Sequence, residues 1–578
     1  MAPSLPRVPA HLRKYVVEQD YDAYNTIDQA VWRFVLLQVN SRLAATAHPA
    51  YQSGLEATGI SLEEIPRIAE MNERLAAFGW GAVCVDGFIP PRAFQEFQAH
   101  ALLPIAGEIR TRGHLVYTPA PDIIHEAAGH APILPEPAFA AYVKRIGTLG
   151  RRAFALPEEK RVYEAIYQLS EAKENPELSA EEVSRAESAL AEALHGVQEA
   201  SEVTRLSRLY WWTAEYGLVG SLEEYKLYGA GLLSSLWESH TCHAPSVRKL
   251  PLDVTCMDVD YDITKPQPQL FVAASFAQLH EVLDQAERTL AAETGGELAL
   301  RCALASQELA SVRFSSGLWV MGVLRGVAPS LRDPGCLTFG GPVAFAWNGA
   351  MDEQGGGFTP GDEHRLVTGR LQGGSSLDEL RPAELERFVH RGSGRHRFAF
   401  DTGVEVAGRL ERVMMRTDGR VSCVVLTDVR IAVHGQPPIH FATHWLWAAG
   451  TPLGAEAGAV DARYHAETSF PEKRVPVRRR LSKEERSLLK LYEQAEHVHH
   501  ERTPALPSEF SRIHAELHSS YPAEWLLRWN LLESLLKAHS ESPLRGVLTD
   551  ELQALEARFE GREPITSGLH YLSELRSS

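Results

Sequence analysis

Apolar positions recur every three to four residues through most of the first half of this chain. Ile27, Val31, Phe34, Val35 and Val39 mark an amphipathic helix within residues 20–47, because such spacing lines one helical face. A second helix is expected over 61–77, where Ser61-x-x-Glu64 has the form of a capping box; Pro66 complicates its start. A third is expected over 92–103 behind Pro90-Pro91, since a missing N–H does no harm in a first turn. Between 157 and 203 the chain is charged and Ala-rich. It breaks at Asn175-Pro176, shows another capping pattern at Ser179-x-x-Glu182, and repeats Val183, Ala186, Leu190, Leu194 and Val197 at helical spacing. Two helices in a solvated hairpin are the simplest reading.

From about residue 310 to 455 the pattern shifts to short apolar runs, at 318–324, 342–347 and 440–447, separated by Gly-rich segments such as 355–357 and 373–374. Asp418-Gly419 between the runs 410–415 and 421–433 is a strong tight-turn signal for a hairpin. Such a series predicts a small antiparallel barrel or sandwich. After a basic stretch at 474–480 the chain turns helical again. Ser482-x-x-Glu485 is placed to cap one helix, and Pro522 begins another with Trp525, Trp529, Leu532 and Leu536 on one face. The expected architecture is a mainly α unit over 1–295 with the 157–203 hairpin inserted in it, a β-rich unit of unknown role over 296–470, and a helical region over 471–578.

Composition narrows the class. A chain of 578 residues has room for about three to four domains, and 44% hydrophobic with 23% charged residues marks it as globular rather than disordered. A net charge of −17 argues against nucleic acid as a partner, because phosphate backbones need a basic face. Residues 1–13 are Pro-rich without the apolar core of a signal peptide, and no apolar run approaches the length of a membrane span. The cysteines at 84, 242, 256, 302, 336 and 423 form no Cys-x-x-Cys pair; they read as reduced thiols of a cytoplasmic protein.

The chemistry concentrates in Pro121-Asp-Ile-Ile-His125-Glu-Ala-Ala-Gly-His130 and, further on, in Tyr210-Trp-Trp-Thr-Ala-Glu215. Two imidazoles and one carboxylate are the set that holds a non-haem Fe(II) by one face and leaves the other open. A zinc-peptidase motif needs its histidines at i and i+4. Here the second is at i+5, about 140° further round an ideal α-helix. Both reach one metal if the first stands at a helix entrance, which Pro121-Asp122 suits. From spacing alone, two ordinary histidines remain an open alternative in a chain with 24. His497-Val-His499-His500 reads as a solvated tract, and the Gly pairs at 340–341 and 355–357 lack the context of a phosphate loop.

The residues around the pair resemble the pterin-dependent aromatic amino acid hydroxylases. The family's metal motif, Pro-Asp-x-x-His-Glu-x-x-Gly-His-x-Pro, is met by residues 121–132; its Tyr-Trp-(aromatic)-Thr-x-Glu-(aromatic)-Gly-Leu segment by 210–218; and a third block by Tyr228-Gly-Ala-Gly-Leu-Leu-Ser-Ser235. The likeness runs from about residue 15 to 290. It implies Fe(II) on His125, His130 and Glu215, a tetrahydropterin cosubstrate, and O2-dependent hydroxylation of an aromatic amino acid, most simply phenylalanine to tyrosine. It further implies Phe94 stacking on the pterin with Glu126 beside it, and Arg110 as the clamp for the substrate carboxylate, with Arg112 as a near alternative. The same likeness implies that Thr118, Pro121 and Trp211 line the substrate pocket, that Tyr210 stands close to the iron, and that Ser234 orients a His ligand. The chain departs from the family at Ala127-Ala128, where bulkier residues are usual, and at Pro104, which replaces a His near the pterin. These departures favour, as a second expectation, a same-fold monooxygenase with another aromatic substrate or electron donor. A metal-dependent hydrolase or metal-binding structural protein is the third. The C-terminal half carries no resemblance and is the expected place for any oligomer contact.

Overall fold

The helix Thr26–Leu43 shows how the N-terminal half is built. Asn25 caps it, its Oδ1 accepting from the amides of Ile27 and Asp28 at 2.8 and 3.2 Å while the Asp28 carboxylate accepts from the Asn25 amide at 2.9 Å. It is buried on more than the one face its spacing marks, with Trp32, Leu36, Leu37 and Gln38 inside as well as Val31, Phe34, Val35 and Val39. The reason is that it is covered twice, by Ala230–Ser234 of the first half and by Lys483–Glu501, Trp525–Lys537 and Glu563–Ser577 of the last hundred residues. This computed structural model describes residues 8–87, 89–115, 121–174, 178–263, 265–348, 350–351, 363–460, 482–501, 506–538, 541–558 and 562–577. Thr118, Gly355–Gly357 and the basic stretch 474–480 lie outside them.

Two expected helices start or stop elsewhere. The one placed over 61–77 is Ile68–Leu75, and the Ser61/Glu64 box does not form; Ser61 Oγ accepts instead from the Glu63 amide at 3.1 Å. Pro66 disfavours helical backbone in the residue before it, so the helix waits until the proline is past. The helix placed over 92–103 is Pro91–Ala99, with its proline in the first turn as expected. Ala101, at φ 54°, turns the chain, and Leu102–Ala106 becomes a strand parallel to Gly81–Val85, with Pro104 opposite Val83. The hairpin is two helices, Pro157–Glu174 and Ala180–His195. Ser179 and Glu182 cap the second reciprocally, at 3.3 and 2.8 Å. A four-stranded sheet ordered Tyr225–Leu227, Leu218–Gly220, Gln269–Ala273, Arg248–Pro251 closes the half behind the site.

The central part is β-rich. Its larger sheet runs Ala350–Met351, Pro334–Trp347, Leu318–Pro329, Leu309–Phe314, Pro452–Ala457, with Glu363–Val367 also on Pro334–Trp347; the smaller runs His396–Ala399, Val404–Met415, Val421–Val433, Ile439–Trp447. The expected hairpin turns at Gly419, whose φ of 79° suits glycine. Gly340 and Gly341 lie inside the strand Pro334–Trp347.

Among the described residues five helices follow: Lys483–Glu501, Leu506–Ser520, Trp525–Lys537, Leu544–Arg558 and Glu563–Ser577. Ser482 and Glu485 cap the first as read, at 2.7 and 3.1 Å. Trp525–Lys537 is buried from Trp525 to Leu536. Phe34 meets Trp525 and Trp529 edge-on at 5.0 and 4.8 Å, a geometry that aromatic pairs prefer. One hydrophobic core therefore takes residues from Ala30 to Leu290 and again from Leu488 to Leu572, while the strands keep separate cores. Among the described residues no helix is long and apolar enough to cross a membrane. The six cysteines are free thiols.

Candidate metal and substrate site

Both ligand-bearing segments are π-helical. Ile124–His130 is a π-turn, and Trp211–Glu215 continues the α-helix Glu202–Tyr210 as another, closed by the Tyr216 amide on the Trp211 carbonyl at 2.8 Å. In a π-helix the backbone bonds run i→i+5, so His130 lies one turn above His125 and not off to one side. The helical period the sequence suggests is the wrong one, and the i+5 spacing is its visible trace.

The result is convergence. His125 Nε2 is 3.1 Å from Glu215 Oε2, and His130 Nε2 is 3.2 Å from Glu215 Oε1. The two rings are perpendicular, with centroids 5.1 Å apart. Yet His130 Nε2, Glu215 Oε2 and the neighbouring Glu126 Oε2 are buried without a hydrogen-bond partner among the described residues. Buried polar atoms are rarely left so. Lone pairs that crowd together without aiming at one another are what ligands of a common cation show, so this donor set fits a metal ion.

The far side of His125 is also fixed. Its Nδ1 lies 3.1 Å from Ser234 Oγ, and Ser234 itself donates to the Ala230 carbonyl at 2.7 Å. With its proton committed there, Ser234 accepts from Nδ1–H, which turns Nε2 to Glu215 as the nitrogen that can ligate a metal once its own proton is lost. Close packing brings the Ser234 turn in. A Cβ on Gly129 would stand 2.6 Å from the Ala230 carbonyl oxygen, and one on Gly229 would stand 2.4 Å from that of Glu215. The glycines of the sequence blocks are thus points of backbone contact between the two π-turns and the helix Ala230–Ser234. Ser234→Ala should lower iron affinity or turnover roughly 10–100-fold, as removal of such supporting bonds does; iron titration of the folded variant checks this.

Burial opposes charge on all these groups, and their neighbours decide the outcome. It works against protonated His125, but the Glu215 carboxylate outweighs it and raises the imidazole to about 9. The two imidazoles likewise overcome burial at Glu215 and hold its carboxyl far below the usual range. At Glu126 burial wins, pushing the carboxyl up to about 7. Burial also raises the Tyr210 phenol, whose oxygen accepts from Gln98 Nε2 at 2.6 Å.

The remaining site residues fall as follows. Phe94 is on Pro91–Ala99, its ring 6.1 Å from that of His130 and 6.0 Å from that of Tyr210. Glu126 Oε2 is 3.8 Å from His130 Nε2. Pro121 is half-buried at the entry to the first π-turn. Arg110 is buried and held bidentately by Asp122, Nε and Nη2 each at 2.8 Å. Asp122 also accepts from the amides of Arg110 and His125, at 2.9 and 3.1 Å, so one carboxylate ties the arginine to the first ligand. Trp211 is stacked 4.2 Å on Tyr261, lies 4.6 Å from Tyr216 and donates to Gln267 at 3.3 Å, so much of its ring surface is taken within the chain.

Sequence reasoning passed over Asp122 and Gln98 as site residues, although Asp122 stood in the motif. It also passed over a link to the C-terminal helices. Arg112, two residues beyond Arg110, pairs with Glu524, a buried carboxylate that accepts from Tyr492 Oη at 2.8 Å and caps Trp525–Lys537. No sequence signal joins positions so far apart.

A family model for biopterin-dependent aromatic amino acid hydroxylases matches residues 17–180 and 187–294, breaking only within the helix Ala180–His195. Phenylalanine-4-hydroxylase of Mesorhizobium japonicum is 29% identical over 277 residues, 47% of this chain and 84% of that protein. The Pseudomonas aeruginosa phenylalanine-4-hydroxylase is also 29% identical, over 47% of this chain and 89% of its own length. A crystal structure of Chromobacterium violaceum phenylalanine hydroxylase is 28% identical over 48% of this chain and 86% of that one, with a TM-score of 0.37. Through residues 17–294 this chain belongs to the biopterin-dependent aromatic amino acid hydroxylases.

Proposed function

We propose that this protein is an Fe(II)- and tetrahydropterin-dependent monooxygenase that hydroxylates phenylalanine to tyrosine with O2. The observation that carries the reading is the convergence of His125 Nε2, His130 Nε2 and the buried Glu215 carboxylate beside the Phe94 ring, with His130 Nε2 and Glu215 Oε2 left without a hydrogen-bond partner among the described residues. In this reading His125, His130 and Glu215 hold the iron. When bound, the tetrahydropterin would supply the two electrons the reaction needs and the iron would mediate their delivery to O2, so that one oxygen atom enters the ring and the other ends as water.

The chain's own residues bind, orient and exclude. Phe94 offers a flat apolar face to the pterin, and Glu126 presents a carboxyl to its polar edge. Arg110 takes the amino acid carboxylate with Nη1, the nitrogen Asp122 leaves free. Pro121 borders the substrate, Trp211 backs it, and Tyr210 and Ser234 support the metal side; Thr118, outside the described residues, is assigned to the substrate by resemblance alone. Ile123, Ile124 and Trp212, all fully buried, keep water from the reacting centre. We place the enzyme in the cytoplasm, in keeping with its six free thiols.

The test is an anaerobic iron-loaded preparation given tetrahydropterin, O2 and phenylalanine, with tyrosine measured by mass spectrometry. Absence of tyrosine would reject the reading. Pro104, locked in a strand where the family has a His near the pterin, favours a second reading with another aromatic substrate or donor. Tyrosine, tryptophan and alternative reductants in the same assay decide between the two. Phe94→Ala should raise the KM for the pterin more than that for the amino acid.

A further inference from the structure

The helix Leu506–Ser520 places His514 and His518 at i and i+4, which puts both on one face. Facing them is Glu551, on Leu544–Arg558. His514 Nε2 is 3.1 Å from Glu551 Oε2, and His518 Nδ1 is 2.7 Å from Glu551 Oε1. The nitrogen-to-carboxylate distances at the catalytic site are 3.1 and 3.2 Å. The same types of donor, two imidazoles and one carboxylate, are therefore gathered a second time in one chain, on elements the family match does not cover; here each imidazole is hydrogen-bonded to the carboxylate, and a bound ion would take the place of those bonds. We propose that His514, His518 and Glu551 form a second divalent-metal site, suited to a borderline transition ion such as Zn2+.

Three features favour a cation here over a bare ion-pair cluster. First, the three ligand atoms all lie within 4.8 Å of one another, so small rotations bring each to the roughly 2.0–2.2 Å that nitrogen and carboxylate ligands keep from zinc. Second, the carboxylate is held from behind. Arg528, 2% exposed, donates Nε to Glu551 Oε2 at 2.6 Å and Nη1 to the Tyr521 carbonyl at 3.1 Å. An outer partner on one oxygen fixes the direction of the other, and Oε1 is the oxygen turned to His518. Third, His518 is 68% exposed, against 4% for His130. A hydrated ion reaches this site without any opening of the fold, and water is at hand to complete its coordination.

The site is not the His497-Val-His499-His500 tract, which the sequence reads as solvated. Those residues lie on Lys483–Glu501 and supply none of the three ligands. The signal that identifies the new site is a His-x-x-x-His pair together with a glutamate on the next-but-one helix, visible only once the bundle is folded.

The full-length chain is stripped with a chelator, equilibrated with excess Zn2+, gel-filtered, and its metal counted by elemental mass spectrometry. The native chain should retain two equivalents, His518→Ala and His514→Ala one each, His125→Ala one, and the His125→Ala/His518→Ala double variant none. Because His518 is largely exposed, His518→Ala leaves the core intact, which circular dichroism checks; His518→Gln repeats the test with a side chain of similar reach. Equal zinc in the native and His518→Ala proteins overturns the proposal. The loss of one equivalent on His518→Ala is read whatever the catalytic site does, and hydroxylation by that variant should be unchanged.

Discussion

Glu215→Ala should lose both iron and hydroxylation, with turnover falling by well over about 100-fold. Loss of a mere supporting bond around a metal ligand costs about 10–100-fold, and here the ligand itself goes. The carboxylate is also the only described anion between the two imidazoles, 3.1 Å from one and 3.2 Å from the other. It opposes burial and draws His125 up to about 9. Without it the largest part of that pull is lost, leaving the weaker effects of Glu126 and Asp122, and the carboxylate that bridges the two rings is gone. The measurement is anaerobic iron titration beside steady-state tyrosine formation. A Glu215→Ala protein that kept stoichiometric iron and native turnover would sink the ligand assignment. Glu215→Asp should restore part of the iron binding, since the charge remains and only the reach is shortened.

The second large effect is on stability. Trp529→Ala should destabilise the iron-bearing half by about 3–5 kcal/mol, the usual cost of truncating a buried aromatic. Trp529 is 1% exposed, packs edge-on against Phe34 at 4.8 Å and donates Nε1 to the Gly568 carbonyl at 3.0 Å. Phe34 belongs to the helix that also packs on Ala230–Ser234. A cavity at Trp529 is thus one helix away from the Ser234 turn. Thermal unfolding followed by loss of bound iron gives the readout, with Met415→Ala, at 59% exposure, as the neutral control. If residues 482–577 were a separate folding unit, Trp529→Ala would leave iron retention on heating unchanged.

Much of the site was legible in the residues because motif spacing and glycine placement are local. His125, His130 and Glu215 are brought together by the structure, and the blocks around them are the surfaces where the π-turns and Ala230–Ser234 touch. The period of those turns was not legible. An i+5 pair looks misaligned on an α-helix, and only the i→i+5 backbone bonds explain it. Proline and turn chemistry explain the misplaced boundaries. Pro66 delays one helix, and Ala101 at φ 54° ends another ahead of the strand that holds Leu102 and Leu103. The hairpin at Asp418-Gly419 and the caps at Ser179 and Ser482 were legible because each depends on a few adjacent side chains. Long-range pairing was not. The spacing of Val31, Phe34 and Val39 announces a one-sided helix, whereas the second covering surface comes from the other end of the chain.

That last pairing sets an order of events at the ribosome. The Gln38 and Ser567 side chains are hydrogen-bonded across 529 positions, and Arg42 reaches Ser567 across 525. Loop closure on that scale is slow, and partners so distant meet late. Domains ordinarily finish in the order in which they emerge, but here the helix Thr26–Leu43 must wait, with one apolar side uncovered, while the whole β-rich region is made. The β-rich region, with cores of its own, can finish first. The nascent N-terminal half therefore keeps that apolar side exposed until the last helices are made, and stable capture of iron should follow, not precede, their synthesis.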